Sequence, residues 1–198
     1  MMMMMIDAQR EANLWSLLDI KACFHNFPVV EEQQTQLGLV TQDGLWVHQR
    51  MGFGLELAPK WCQYAMDSIL SRSGVPAAKV FFDDVTIPGQ LHDWRGLWAD
   101  TLLVLGALTS AGLMIGLKKC KFLVRSVVVL GYQVLEGGYQ LATKFLKKWT
   151  SLKPPTCLKE LQQLLGKFLW CAGFVPEFKK LMAPLEKLLS PANEGRWT

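Results

Sequence analysis

The feature that most narrows what this chain can fold into is an acidic pair set between two apolar triplets. Val80-Phe81-Phe82 precedes Asp83-Asp84, and Val85-Thr86-Ile87 follows. β-Branched and aromatic residues on both sides favour strands, and the acids between them read as a hairpin tip. Neighbouring residues on a straight strand face opposite sides, whereas two acids at a tip can face one side. Carboxylates in so apolar a setting are costly unless a cation accompanies them. A third acid, Asp19, lies in a similar run, Leu17-Leu18-Asp19-Ile20. Three carboxylates converging from two strands are a donor set for two Mg²⁺ ions, each taking one or two carboxylates with phosphate and water oxygens. Two such ions, about 3.5–4 Å apart, stabilise both oxygens of an in-line phosphoryl transfer. Asp is also common in turns, so an ordinary acidic turn stands beside the metal-site reading at this point.

The remainder of the chain reads as α+β. Residues 6–14 suggest a short helix. Phe27–Val30 is an extended run, and Leu37–Thr41 with Leu45–Val47 flanks Gln42-Asp43-Gly44 as a hairpin. Ala58–Leu70 is helical in its spacing, with Pro59 at the opening. A helix over His92–Ser110 ends at Gly112. Strands follow over Phe122–Val124, Val127–Leu130 and Tyr132–Leu135, with Gly137-Gly138 as a turn. Three helices close the chain: Phe145–Leu152, one capped by Thr156, and Pro176–Leu189. With 51% hydrophobic and 19% charged residues among 198, a disordered chain is excluded. The five cysteines are scattered without a C-x-x-C pair, which argues against a disulfide scaffold or a structural zinc site. Met1–Met5 lacks the basic region of a secretory signal. Thr101–Leu117 is uncharged, but three glycines and three hydroxyl residues suit a helix-to-strand turn better than a membrane span, so no membrane partner is expected.

Charge divides the chain. Residues 1–117 hold 7 basic and 12 acidic side chains, whereas residues 118–187 hold 13 basic and 4 acidic ones. A basic face can hold a phosphate backbone, although a solvated lysine-rich helical surface has the same composition.

Order and context add more. Leu18-Asp19-Ile20-Lys21-Ala22-Cys23-Phe24-His25, Met51-Gly52-Phe53-Gly54-Leu55 with Ala58-Pro59, and Val80-Phe81-Phe82-Asp83-Asp84-Val85 occur in that order. His92, Gly112-Leu113, Lys119-Cys120-Lys121-Phe122, Leu130-Gly131-Tyr132, Leu164-Leu165-Gly166, Phe174–Phe178 and Ala183-Pro184-Leu185 continue the series. Together they resemble the successive palm motifs of reverse transcriptases, most closely those of Gypsy-type long-terminal-repeat retrotransposons, over nearly the whole chain. The resemblance implies a right-hand polymerase palm, an antiparallel sheet backed by helices. It implies palm with partial fingers over 1–135 and a helical thumb or connection-like portion over 136–198. It implies RNA-directed DNA polymerase activity with an RNA or DNA template, a primer and a deoxynucleoside triphosphate. Asp19, Asp83 and Asp84 would be catalytic and, with the Ile20 carbonyl, would hold two Mg²⁺ ions, Mn²⁺ being a substitute. Phe24 would exclude the 2′-hydroxyl by bulk. Phe53 and Gly54 would line the nucleotide pocket, with Lys119 near the leaving pyrophosphate, and Leu130, Gly131 and Tyr132 would form the primer grip.

Some positions depart from the family's pattern. Cys23 stands where Gly is usual, Gly52 where Pro is usual and Leu57 where Asn is usual, and a basic residue is missing near Ala172-Gly173. The family extends further at both ends, into finger segments and ribonuclease H. These would be supplied by a longer polyprotein, and the chain alone is expected to extend primers weakly. An intracellular setting, cytoplasmic particle or nucleus, suits the free cysteines. The alternative is a non-catalytic retroelement remnant that acts as a nucleic-acid-binding or interaction module.

Overall fold

Strand β1 (Leu14–Asp19) is a near-continuous apolar run, and all six of its residues are buried. Burial on both faces makes it an interior strand. In the computed structural model, which describes residues 11–149 and 152–190, β1 lies inside a four-stranded sheet. Its companions are β4 (Lys79–Phe81), β5 (Asp84–Gly89) and β6 (Lys121–Val124), in the order β4-β5-β1-β6. Every neighbouring pair is antiparallel. The register of β6 against β1 shifts between Trp15 and Leu17, and Leu123 takes φ +52 there, as a bulge requires.

Alternation along β1 separates two faces. Leu14 and Leu18 enter a core with Val85 and Ile87 of the sheet, Cys62, Met66 and Leu70 of one helix, and Leu97, Val104 and Leu108 of another. Those helices are Ala58–Ser71 and Trp94–Ser110. Ser16 is polar on the same face, and Thr101 Oγ1 satisfies it by donating to its hydroxyl at 2.9 Å. The second helix starts where the Asp93 side chain accepts from the Gly96 N–H at 3.1 Å, and it stops before Gly112 at φ +78. No described helix is long and apolar enough to cross a membrane.

Two further sheets complete the architecture. β2 (Gly38–Thr41) and β3 (Gly44–Val47) form the hairpin expected around Asp43, and both strands are exposed throughout. β7 (Ser126–Val129), β8 (Tyr132–Leu135) and β9 (Gly138–Leu141) form a three-stranded sheet. The sequence does not announce β9, because Gly137 and Gly138 read together as a turn, whereas only Gly137 has positive φ and Gly138 opens the strand. The helix expected over residues 6–14 lies largely outside the described residues, and Leu14 itself is already β1. In chain order the helices are α1 (Cys23–Asn26), α2 (Glu31–Gln34), α3 (Ala58–Ser71), α4 (Trp94–Ser110), α5 (Thr143–Trp149), α6 (Leu158–Leu169) and α7 (Phe178–Lys187).

The chain divides into two compact units. The first holds residues 1–129 and 133–139, and the second holds 130–132 and 140–198. In the second unit Leu161 and Met182 are buried, from α6 and α7 respectively. Thr156 does not cap α6. Its N–H and hydroxyl both donate to Glu160 Oε2, at 2.7 and 2.9 Å, and Cys157 takes the cap position without a side-chain bond. Helices packed on an antiparallel sheet make the α+β palm architecture that the motifs imply.

Candidate active site

Register brings the acids together. Asp19 ends β1 directly opposite Asp84, which opens β5. Phe81 pairs with Asp84 across the β4–β5 hairpin, so Phe82 and Asp83 form a two-residue turn. Phe82 holds φ +53, a region that costs a non-glycine residue about 1–3 kcal/mol. Several bonds keep it there. Gln63 of α3 accepts from the Phe82 N–H at 3.0 Å and donates to the Val80 carbonyl at 3.0 Å. The Ile20 N–H donates to the Asp83 carbonyl at 2.8 Å. Cys23 Sγ reaches the Phe82 carbonyl at 3.5 Å. The hairpin tip is thus fastened to α3 and to the end of β1.

Asp19 is buried, with Lys119 Nζ at 2.9 Å from its Oδ1. The ammonium is well exposed, and its pKa is raised by the hydrogen bond to Asp19 and by that acid's charge. Asp84 is pushed up to about 6, first by burial and then by the charges of Asp83 and Asp19, with Lys119 opposing the rise. The Asp19 carbonyl accepts from the Gly116 N–H at 2.8 Å. A Cβ on Gly116 would collide with Asp19 Oδ2. Among the described residues no donor claims the Ile20 carbonyl. Among them, too, no three His, Cys, Asp or Glu side chains close into a metal-holding group. The donor chemistry nevertheless suits a hard divalent cation: three carboxylates and one backbone carbonyl, all oxygen.

Phe24 is half-buried beside the turn, its ring 6.1 Å from Phe82 and 5.5 Å from Phe53. Phe53 is 75% exposed, and Gly54 at φ +89 has open space where a Cβ would stand. His25 Nδ1 lies 3.0 Å from the Met51 carbonyl, and Arg50 donates to the Asn26 carbonyl at 2.9 Å, so α1 is tied to the Phe53 loop. The residues Asp19, Ile20, Phe24, Phe53, Asp83, Asp84 and Lys119 all lie in the first unit. Leu130 and Gly131 turn β7 into β8, both at positive φ. Tyr132, the third residue expected in the primer grip, is 2% exposed. Its hydroxyl donates to the Trp170 carbonyl at 2.7 Å and its ring stacks on Phe174 at 5.8 Å. Its side chain is an anchor of the second unit.

Sequence reasoning missed Gln63 and Gly116. Gln63 had a signal, a polar residue adjoining the buried stripe Cys62-Met66-Leu70. Gly116 had none, since its neighbour Asp19 is remote in sequence.

The sequence profile described as reverse transcriptase (RNA-dependent DNA polymerase) matches residues 2–134. The chain belongs to the reverse transcriptase family. Its relatives include the retrovirus-related Pol polyprotein from transposon opus of Drosophila melanogaster, 30% identical over 89% of this chain and 17% of that protein. The transposon Tf2-3 polyprotein of Schizosaccharomyces pombe is 27% identical over 94% of this chain and 14% of that protein. This reverse transcriptase chain therefore spans under a fifth of the length of these relatives. A foamy viral protease-reverse transcriptase solved in complex with double-stranded DNA has the same fold, with a TM-score of 0.80, 22% identity, and coverage of 98% of this chain and 36% of that one. The same viral protein solved with an RNA/DNA hybrid matches equally, at a TM-score of 0.80 and 22% identity, over 97% of this chain and 27% of that one. Reverse transcriptases in general use divalent metal ions.

Proposed function

We propose that this chain carries the polymerase centre of an RNA-directed DNA polymerase, working as part of a longer retrotransposon polyprotein. The reaction is attack of a primer 3′-hydroxyl on the α-phosphate of a deoxynucleoside triphosphate, with pyrophosphate leaving. The observation that carries this reading is the facing pair Asp19–Asp84 with Asp83 in the adjoining turn. Burial and mutual repulsion raise Asp84 to about 6, which marks the cluster as short of positive charge. Asp19, Asp83, Asp84 and the Ile20 carbonyl would hold two Mg²⁺ ions. Bound there, the ions would lower the pKa of the attacking hydroxyl and neutralise phosphate charge.

The chain's own groups do the positioning. The bonds from Gln63 and Ile20 hold the acidic turn in one conformation, so little reorganisation is left for the reaction itself. Phe24, backed by Phe82 and Phe53, presents a ring that a 2′-hydroxyl would strike. Lys119 is exposed beside Asp19 and would offer its ammonium to an incoming phosphate. The Leu130-Gly131 backbone would support the primer, with Tyr132 fixing that turn from inside. The exposed lysines of α6 and α7 suit a duplex backbone.

Primer extension on an RNA template tests the reading, with Mg²⁺, with Mn²⁺ and with chelator. Extension should need the cation and vanish in Asp83→Asn. Template–primer binding without extension, in this chain and in a longer polyprotein segment alike, would favour the non-catalytic module.

A further inference from the structure

Cys23 and Cys62 are both buried, and their sulfurs lie 3.3 Å apart, 39 positions distant in sequence. No other pair of sulfurs is in hydrogen-bond contact among the described residues, although Cys120, Cys157 and Cys171 are also free thiols. The pair sits directly behind the acidic hairpin, since Cys23 Sγ also contacts the Phe82 carbonyl at 3.5 Å. Phe24 follows Cys23 in the same single helical turn, α1. We propose that Cys23 and Cys62 are a redox-modification site, closed by peroxide into a disulfide that displaces Phe24 and the acidic turn, and reopened by a dithiol. The effect on synthesis rests on the polymerase reading; formation of the bond does not.

The chemistry balances with hydrogen peroxide as oxidant. One sulfur of the pair, once it has lost its proton, attacks one peroxide oxygen; the O–O bond breaks, a sulfenic acid forms and hydroxide leaves. The other sulfur then attacks the oxidised one; the S–S bond forms, the S–O bond breaks, and the second oxygen leaves as water once protonated. Two thiol protons end on the two waters, and two electrons pass from sulfur to oxygen. Either sulfur can donate in the shared hydrogen bond, so either can be the first to act, and the net reaction is the same.

The mechanical consequence follows from which side can yield. A disulfide needs the sulfurs at about 2.05 Å, so they must close from 3.3 Å. α3 has 14 residues and is held by Met66 and Leu70, both in the core, whereas α1 is a single turn of 4 residues whose ties beyond Cys23 and Phe24, His25 to Met51 and Arg50 to Asn26, are exposed hydrogen bonds. The movement therefore falls on α1. Cys23 leaves the Phe82 carbonyl, and Phe24 is carried with it. A displacement of about 1 Å at a positioning group can cost on the order of 100-fold in rate.

The test treats the reduced full chain with hydrogen peroxide, maps disulfides by peptide mass spectrometry, and measures melting and primer extension. We expect a Cys23–Cys62 peptide, melting higher by about 5–10 °C because a long loop is closed, and extension lower by at least about tenfold. Dithiothreitol should reverse all three. Cys62→Ser and, independently, Cys23→Ala should resist the loss. Oxidation confined to Cys120, Cys157 or Cys171 would overturn the site. A Cys23–Cys62 bond that leaves extension unchanged would overturn the switch. Should the reduced protein extend nothing, that failure belongs to the polymerase reading, and mapping with melting still decides whether the bond forms.

Discussion

Asp84 is ordinarily a carboxylate near 3.8, but here burial and the charges of Asp83 and Asp19 raise it to about 6. A raised carboxyl means that the folded chain binds more protons than the unfolded chain between those values. Stability therefore falls as pH rises from about 4 to about 6, and the deficit persists above. Asp84→Asn removes the deficit. In chelator it should melt higher than wild type at pH 7, with the gain gone near pH 4; melting at both pH values checks this, and an equal gain at both would contradict it. Phe24→Ala should admit ribonucleotides, raising their use relative to deoxynucleotides; unchanged sugar selectivity would remove Phe24 from that role. All three acids were legible in the sequence because each is a charge in an apolar run. The Lys119 contact to Asp19 was not legible, since it depends on a sheet edge that brings residues 100 apart together.

At the level of elements, the β4–β5 hairpin depends on a helix. Gln63 bridges the Phe82 N–H and the Val80 carbonyl from α3, and losing it leaves two groups unsatisfied at a turn that is already strained. Gln63→Ala should cost about 2–4 kcal/mol in urea unfolding. Gly116→Ala, whose Cβ meets the Asp19 carboxylate, should cost about 1–3 kcal/mol and abolish extension. A near-neutral result for either would show that the acidic turn is held by other means. The strands and long helices were readable because apolar spacing decides them locally. β9 and the cap of α6 were not. One depended on which of two glycines takes positive φ, the other on Glu160 outcompeting the helix for Thr156. Tyr132 shows the same limit: its motif marks the turn, but its burial under Trp170 and Phe174 arises from helices far along the chain.

For the molecule as a whole, the proposed function sets the cation in the acidic first part and the nucleic-acid backbone on the basic second part. Template–primer affinity should fall steeply with salt. Replacing Lys159, Lys167 and Lys179 with Gln should lower the slope of log K against log salt by about one for each phosphate left without its lysine, as read by fluorescence anisotropy. The central claim, that Asp19, Asp83 and Asp84 form one cation site, is tested most directly by thermal melting of wild type and Asp83→Asn with and without Mg²⁺. Without the ion, Asp83→Asn should melt no lower than wild type, since one of three crowded charges is gone. With the ion, wild type should rise and Asp83→Asn should stay where it was. An equal Mg²⁺ shift in both proteins would contradict the account and put the cation elsewhere.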